Sequence, residues 1–265
     1  MRPDEPLDPE LTSTELSTGA IFHTDTGSGP TIVAVHGMPA TSRDFRWLDA
    51  AFDGRVRLLR LDLPGFGRSP HQTCRGNTFS DLGEVVAEFC EAAELDDAIL
   101  LGHSLGGAVA VDAATRTRRV AGLALINSSG PIDHRGNFPR TYRVLERIAD
   151  LHPIAHRATV AIAKPIAQRV GFSKRLSDDE MFFAARFAGR FDPDLLGVQL
   201  AGLDMPVFVA SAEDDRSVQL EVTTRLLERA QNAEHVRYPS GGHNLQSKRA
   251  TELADAIVAW RAGLV

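Results

Sequence analysis

The segment Gly102-His103-Ser104-Leu105-Gly106 holds a serine between two glycines, with an apolar run before it and an alanine-rich run after it. This pattern predicts a sharp turn from a strand to a helix, in which small neighbours allow strained backbone geometry at the serine. The hydroxyl then projects above the sheet, and the Leu105 N–H lies at a helix N-terminus, where the helix dipole favours an anion. Ser104 is therefore the candidate catalytic nucleophile.

A serine hydroxyl becomes a good nucleophile when a base removes its proton and a third group orients that base. Of the nine histidines, His243 is the best candidate for the base, because it follows a short strand and a glycine-containing turn and precedes the last predicted helix. The acid is expected between the serine and the histidine in chain order. A turn after a late strand offers three carboxylates there, and we choose Asp214, with Asp215 second and Glu213 third.

The other histidines near a pattern of interest are assigned no chemistry. His103 adjoins the serine, but we expect it to lie on the opposite side of a tight turn and to have a packing role. His152 and His156 have helical spacing, yet Pro153 intervenes and no glutamate adjoins His152, so no metal site is predicted there. We expect the protein to use neither a metal nor a cofactor.

Short aliphatic runs alternate with longer amphipathic runs, which predicts an α/β fold with a mostly parallel twisted sheet and helices on both faces. Ligands bind such sheets at the carboxyl ends of the strands. This chain carries His36-Gly37, Asp62, Ser104, Asn127-Ser128-Ser129, Asp214 and His243 at those ends. A helix should follow Ser104 to about Arg116, and another should run from about Gln246 to Ala262. The predicted strands are Thr31–Val35, Val56–Leu61, Ala98–Leu101, Val120–Ile126, Val207–Ala210 and His235–Tyr238.

The chain divides into a tail, a core and an insertion. Residues 1–19 are rich in Pro, Asp, Glu, Ser and Thr, which predicts a flexible N-terminal tail. Residues 20–130 and 201–265 form the predicted core. Residues 131–200 break the alternation and predict a helical cap over the strand ends. Within this cap, Phe183, Phe187 and Tyr142 are candidate substrate-binding residues, with packing of the cap as the alternative role of the two phenylalanines, which share a helical face with Phe191.

From about residue 20 onward, the chain resembles the α/β-hydrolase superfamily, in particular its capped, esterase-like branch with a serine nucleophile. The resemblance implies an oxyanion hole formed by the backbone N–H groups of Met38 and Leu105, and a mainly structural loop at Asp62, Pro64, Gly65 and Gly67. The matching segments, in the family's order, are Val35-His36-Gly37-Met38-Pro39, Leu61-Asp62-Leu63-Pro64-Gly65-Phe66-Gly67-Arg68-Ser69, the turn from Gly102 to Gly107, Asp214, and Gly242-His243.

The departures from related families narrow the reaction. His36-Gly37-Met38-Pro39 is similar to haloalkane dehalogenases and epoxide hydrolases, but those relatives carry an aspartate where this chain has Ser104. Epoxide hydrolases also need cap tyrosines, and Tyr142 is the one tyrosine in the predicted cap. The resemblance therefore implies hydrolysis of a carboxylic ester or a related acyl bond through an acyl-enzyme.

Two alternatives stay open. One is C–C bond hydrolysis of a ring-fission dienoate, although Met38-Pro39 departs from the glycine-rich segment of those enzymes. The other is a non-catalytic small-molecule receptor on the same fold. The first draws support from a basic cap, which would steer a carboxylate-bearing substrate; the basic residues are Arg140, Arg143, Arg147, Lys164, Arg169, Lys174 and Arg175.

Composition limits the partners. The formal net charge of −6 gives no basic surface for nucleic acid or anionic lipid, so we expect a small-molecule substrate. The chain contains no apolar run long enough to span a membrane and no apolar stretch near its start that could act as a secretory signal. The two cysteines, Cys74 and Cys90, are expected as free thiols in a reducing compartment, which predicts a cytoplasmic protein. Whether it is a monomer or a homo-oligomer is left open.

Overall fold

A computed structural model of the chain describes residues 5–133 and 177–264, together with the single residues 158, 161 and 165. Its centre is an eight-stranded sheet in the order β1-β2-β4-β3-β5-β6-β7-β8. Strand β2 is antiparallel to both of its neighbours, β1 and β4, and the six strands β3 to β8 are parallel to one another. The strands are β1 Thr12–Leu16, β2 Gly19–Thr26, β3 Thr31–Val35, β4 Arg57–Leu61, β5 Ala98–His103, β6 Val120–Ile126, β7 Val207–Ala212 and β8 Ala233–Tyr238.

The predicted fold class is confirmed. All six predicted strands are present, and four of them are nearly or fully buried because helices cover both faces of the sheet. In the described ranges, the α-helices are α1 Arg46–Phe52, α2 Phe79–Ala92, α3 Leu105–Ala114, α4 Asp178–Ala188, α5 Pro193–Ala201, α6 Leu220–Leu227, α7 Leu245–Lys248 and α8 Ala250–Ala262.

The helices form two hydrophobic layers with the sheet between them. Residues of α2 and α3, together with α4 and α5, make one apolar cluster, and residues of α1, α7 and α8 make the other. Burial of apolar area on both faces stabilises the sheet and leaves polar groups at the strand ends. Across the described ranges, no helix is both long enough and apolar enough to cross a membrane.

The prediction of a flexible tail over residues 1–19 is wrong for the described part of that segment. Strand β1 pairs with β2 in register, from Thr12 opposite His23 to Leu16 opposite Gly19. Upstream of β1, Glu5 forms ion pairs with Arg43 and Arg46, and Asp8 contacts Arg43 and the buried Arg60. The acidic residues therefore neutralise arginines of the core, and strand pairing satisfies backbone groups that a solvated tail would leave to water.

The interval predicted as a cap, residues 131–200, lies between β6 and β7. Its described part contains α4 and most of α5, and the rest, including Tyr142 and all seven basic residues named above, lies outside the described residues. A side chain caps the N-terminus of each helix. The Ser177 side chain accepts a hydrogen bond from the Glu180 N–H at the start of α4, and the Asp192 side chain accepts one from the Leu195 N–H at the start of α5. The cap as a separate unit stays a prediction.

Candidate functional site

The serine occupies the turn between β5 and α3 with a positive φ. Ser104 has φ 55° and ψ −127°, a conformation that costs free energy in a residue other than glycine, and its side chain is largely buried. The turn requires close approach of the backbone: a Cβ on Gly106 would collide with the carbonyl oxygens of Val35 and His36 at the end of β3. The glycine therefore lets α3 start directly above the neighbouring strand, with Ser104 at its entrance.

Three side chains form a continuous chain of hydrogen bonds at this point. The His243 Nε2 lies 3.0 Å from the Ser104 Oγ, and the His243 Nδ1 lies 2.8 Å from the Asp215 Oδ2. A carboxylate only accepts, so Nδ1 carries the proton and Nε2 is left to accept from the serine hydroxyl. This Ser104–His243–Asp215 array has the connectivity that activates a serine for nucleophilic attack.

The carboxylate of Asp215 is held ionised although it is buried. Burial by itself would raise its pKa, but the hydrogen bond and the positive charge of His243 act the other way, as do the N–H groups of Ser217 and Val218, which donate to Oδ1 at 2.7 and 3.1 Å. The net result is a pKa below the usual value of an aspartate. An ionised carboxylate in this position fixes the tautomer of His243 and stabilises its protonated form.

The prediction of Asp214 as the acid is wrong, and the second choice, Asp215, is the carboxylate that contacts His243. Strand β7 continues to Ala212, two residues beyond its predicted end, and the Ala212 carbonyl accepts from the Asp215 N–H at 3.3 Å to close a four-residue turn. The two central residues of the turn, Glu213 and Asp214, are exposed to solvent. The Asp214 Oδ1 accepts from the Gly242 N–H at 2.6 Å, and Glu213 pairs with Arg237.

The segment after β3 lies directly against the serine. A Cβ on Gly37 would lie 2.9 Å from the Ser104 Cβ, which places the following residue, Met38, beside the nucleophile. On the other side, Leu105 is the first residue of α3, where the N–H groups have no acceptor within the helix. Both N–H groups expected to form the oxyanion hole therefore belong to segments that adjoin Ser104.

His36 fixes the position of this segment. Its Nε2 lies 3.0 Å from the backbone nitrogen of Leu63, which can only donate, so Nδ1 carries the proton and donates to the Gly37 carbonyl at 2.7 Å. Burial lowers the pKa of His36 despite that bond, so the ring stays neutral. Asp62, in the same loop as Leu63, accepts from the N–H groups of Ser42 and Arg68, in line with the structural role that the resemblance implies.

Comparison with known proteins agrees with this arrangement of fold and site. Residues 32–256 match the Alpha/beta hydrolase family. The chain belongs to this family. The uncharacterized hydrolase YugF of Bacillus subtilis strain 168 is 24% identical over 243 residues, which cover 86% of this chain and 88% of that protein.

Two further relatives of this hydrolase differ in the extent of the match. Haloalkane dehalogenase 2 of Mycobacterium tuberculosis strain H37Rv is 33% identical over 113 residues, which are 42% of this chain and 40% of that protein. A thermophilic esterase from Thermogutta terrifontis superposes with a TM-score of 0.77 at 22% identity, over 97% of this chain and 99% of that one. The esterase therefore shares the α/β-hydrolase fold.

The two phenylalanines predicted to bind substrate lie at the contact between α4 and the core. Phe183 stacks on His71 with a centroid distance of 3.9 Å and an interplanar angle of 8°, and it covers Gly65. Phe187 is fully buried and lies 6.4 Å from the same histidine. These contacts explain how α4 is attached to the hydrolase core, and a role in substrate binding stays a prediction for both residues.

Three side chains beside the array are not among the residues predicted to act in catalysis. Two of them, Asn127 and His103, contact the main-chain carbonyl of His243 directly, and the third, Asp44, contacts His103. The expectation that His103 lies on the opposite side of the turn with a packing role is wrong, because its ring lies 4.9 Å from the ring of His243 and makes specific polar contacts. The position of Asn127 at the end of β6 places it among the polar residues expected at that edge of the sheet, but the sequence pattern gives no sign of its contact with His243. In the described ranges, no group of three or more His, Cys, Asp or Glu side chains is arranged to hold a metal ion.

Proposed function

We propose that this hydrolase is a serine hydrolase that cleaves a carboxylic ester or a related acyl bond of a small molecule through an acyl-enzyme. The observation that carries the proposal is the unbroken hydrogen-bond chain from Ser104 through His243 to Asp215, at 3.0 and 2.8 Å. Each member has the donor or acceptor state that the reaction needs before substrate binds.

In the first half of the reaction, the Ser104 oxygen attacks the carbonyl carbon while His243 Nε2 takes the hydroxyl proton. The carbonyl oxygen becomes an oxyanion, which the N–H groups of Met38 and Leu105 would bind; an essential donor of this kind contributes about 3–4 kcal/mol. The tetrahedral intermediate then expels the alcohol oxygen, which receives the proton from His243. The alcohol leaves, and Ser104 carries the acyl group.

In the second half, water replaces the alcohol. His243 takes a proton from water as the water oxygen attacks the acyl carbon, and the same N–H groups bind the new oxyanion. Collapse of this intermediate returns the proton from His243 to the Ser104 oxygen and releases the carboxylic acid. Asp215 keeps its charge throughout and stabilises the imidazolium that forms twice in each cycle.

Among the activities of similar proteins, the residue at the nucleophile position favours the ester. A dehalogenase reaction needs a carboxylate that forms an alkyl ester, and the hydroxyl of Ser104 cannot supply it. The segment shared with haloalkane dehalogenase 2 covers less than half of either chain, whereas the esterase from Thermogutta terrifontis superposes over nearly all of both. Serine, base and buried acid together support acyl transfer.

Covalent labelling with a fluorophosphonate, followed by peptide mass spectrometry, tests the proposal. We expect one equivalent of label on Ser104, a burst of alcohol with p-nitrophenyl acetate, and loss of activity by up to about 10⁶-fold in Ser104→Ala. Ser211→Ala is the matched control, because this buried serine of β7 bonds to His235 outside the array, and it should label like the wild-type protein. Folded wild-type protein that takes no label, or a Ser104→Ala variant that labels normally, would falsify the proposal.

A further inference from the structure

The main-chain carbonyl of His243 accepts two side-chain hydrogen bonds. Asn127 Nδ2 donates to it at 2.9 Å, and His103 Nε2 donates to it at 2.9 Å. The donors come from the ends of β6 and β5, the two neighbouring strands beneath the array. The carbonyl of a loop residue is thus fixed from two directions by rigid parts of the sheet.

Asn127 also connects this loop to the strand that leads to the acid. Its Nδ2 donates to the Gly242 carbonyl at 2.8 Å, and its Oδ1 accepts from the Ala212 N–H at 3.0 Å, at the end of β7. The side chain is buried, and its backbone has φ 40°, a conformation that asparagine tolerates better than most residues. One amide therefore holds both the His243 loop and the turn that carries Asp215.

His103 reaches the same carbonyl from a fixed, charged position. Its Nδ1 lies 3.0 Å from the Asp44 Oδ2, and its Nε2 faces a carbonyl, so both nitrogens must donate and the ring is an imidazolium. Burial would lower the pKa of His103, but the hydrogen bond and charge of Asp44 raise it above its ordinary value. Three other polar groups lie near it: Gln246, the carboxylate of Asp215 and the neutral ring of His36. The Gln246 Nε2 lies 3.3 Å from the His103 Nδ1 and donates to Asp44 at 2.8 Å.

We propose that Asn127 and His103 are positioning residues of this hydrolase, which hold the main chain of His243 so that its ring stays aligned between Asp215 and Ser104. This inference rests on the proposed function, because it assigns both side chains to the alignment of the proposed base. The His243 ring is 25% exposed and follows two glycines with positive φ, so its loop has little rigidity of its own. The two donors supply the rigidity that in-line proton transfer requires.

Four variants test the proposal by the ester kcat and KM. His103→Leu and Asn127→Ala remove one donor each, and we expect kcat to fall by about 10- to 100-fold with little change in KM, since misaligned groups slow the chemical step. His103→Gln keeps an amide N–H near the position of Nε2 and should recover most of the kcat lost in His103→Leu. Ser211→Ala, which loses a buried hydrogen bond away from the array, should keep the wild-type kcat. Wild-type kcat in His103→Leu, or equal loss in the Gln and Leu variants, overturns the proposal.

A second readout separates this inference from the proposed function. The low-field proton resonance of His243 Nδ1–H reports its hydrogen bond to Asp215 without any turnover. We expect the resonance to broaden or disappear in His103→Leu and Asn127→Ala and to return in His103→Gln. An unchanged resonance in both loss variants refutes the positioning role even if the wild-type protein is labelled at Ser104. The expected changes in a protein that takes no label would refute the proposed reaction and leave the positioning role supported.

Discussion

Glu213, Asp214 and Asp215 are consecutive carboxylates in three different environments, and only the last is buried. Asp215 contacts His243, whereas Asp214 accepts from a backbone N–H at the surface. We predict that Asp215→Asn lowers the ester kcat on the order of 10⁴-fold, because an amide can stabilise the wrong tautomer of the histidine and cannot stabilise its protonated form. Asp214→Asn keeps an oxygen that accepts from Gly242 and should retain nearly full activity.

Side-by-side steady-state kinetics of the two variants measure this difference, with circular dichroism melting to confirm that both fold. A greater loss of activity in Asp214→Asn than in Asp215→Asn would contradict the assignment of Asp215 as the acid.

The sequence could predict the serine and the histidine because each lies in its own local pattern. It could not separate three adjacent carboxylates, since the choice depends on a strand that continues to Ala212 and on a turn that exposes its two central residues.

At the scale of elements, the contact between α3 and the end of β3 sets the position of the nucleophile. Gly106 lies against backbone carbonyls, which cannot move as a side chain can, so Gly106→Ala should destabilise the protein by about 1–3 kcal/mol and slow labelling of Ser104. Gly202→Ala is the matched control, because its nearest atoms would lie at 3.6 Å and it has no positive φ. Urea unfolding and the labelling rate measure both effects.

Equal stability of the Gly106→Ala and Gly202→Ala variants would contradict this prediction.

Some strands of the sheet can be recognised from the sequence and others cannot. The buried strands β3 and β6 have the predicted bounds because continuous aliphatic runs mark them. Strands β1 and β2 are mixed in polarity and partly exposed, so they have no such signal; β1 forms by pairing in register with β2. The contact of Asn127 with His243, more than a hundred residues away in sequence, depends on the assembled sheet.

At the scale of the whole molecule, the buried histidines contribute to how stability varies with pH. Burial lowers the pKa of His23 and of His36, while the Asp44 carboxylate raises that of His103 against its burial. Below about pH 6.5 the unfolded chain protonates all three, whereas the folded chain leaves the first two neutral. Unfolding then takes up protons, so the free energy of unfolding should fall as the pH drops below about 6.5, by up to about 1.4 kcal/mol per pH unit for each such proton.

The opposite shifts of His23 and His103 give a paired test of this account. His23 accepts from the Thr14 hydroxyl at Nε2, at 3.0 Å, and lies edge-on to Phe89, so His23→Gln removes a group that opposes folding at low pH. The free energy of unfolding should therefore depend less steeply on pH between about 5 and 6.5 in this variant. His103 stabilises the fold below its unfolded pKa of about 6.5 and loses that contribution as the pH rises through its folded pKa. In His103→Gln, the slope of the free energy of unfolding against pH should therefore become more positive above about pH 6.5. Urea unfolding at half-unit pH intervals measures the free energy of unfolding, and its slope against pH is taken for each variant separately. A general loss of stability shifts all values of one variant equally and leaves its slope unchanged. Slopes that change in the same direction in both variants would show that one of the two histidines has the opposite charge state in the folded protein.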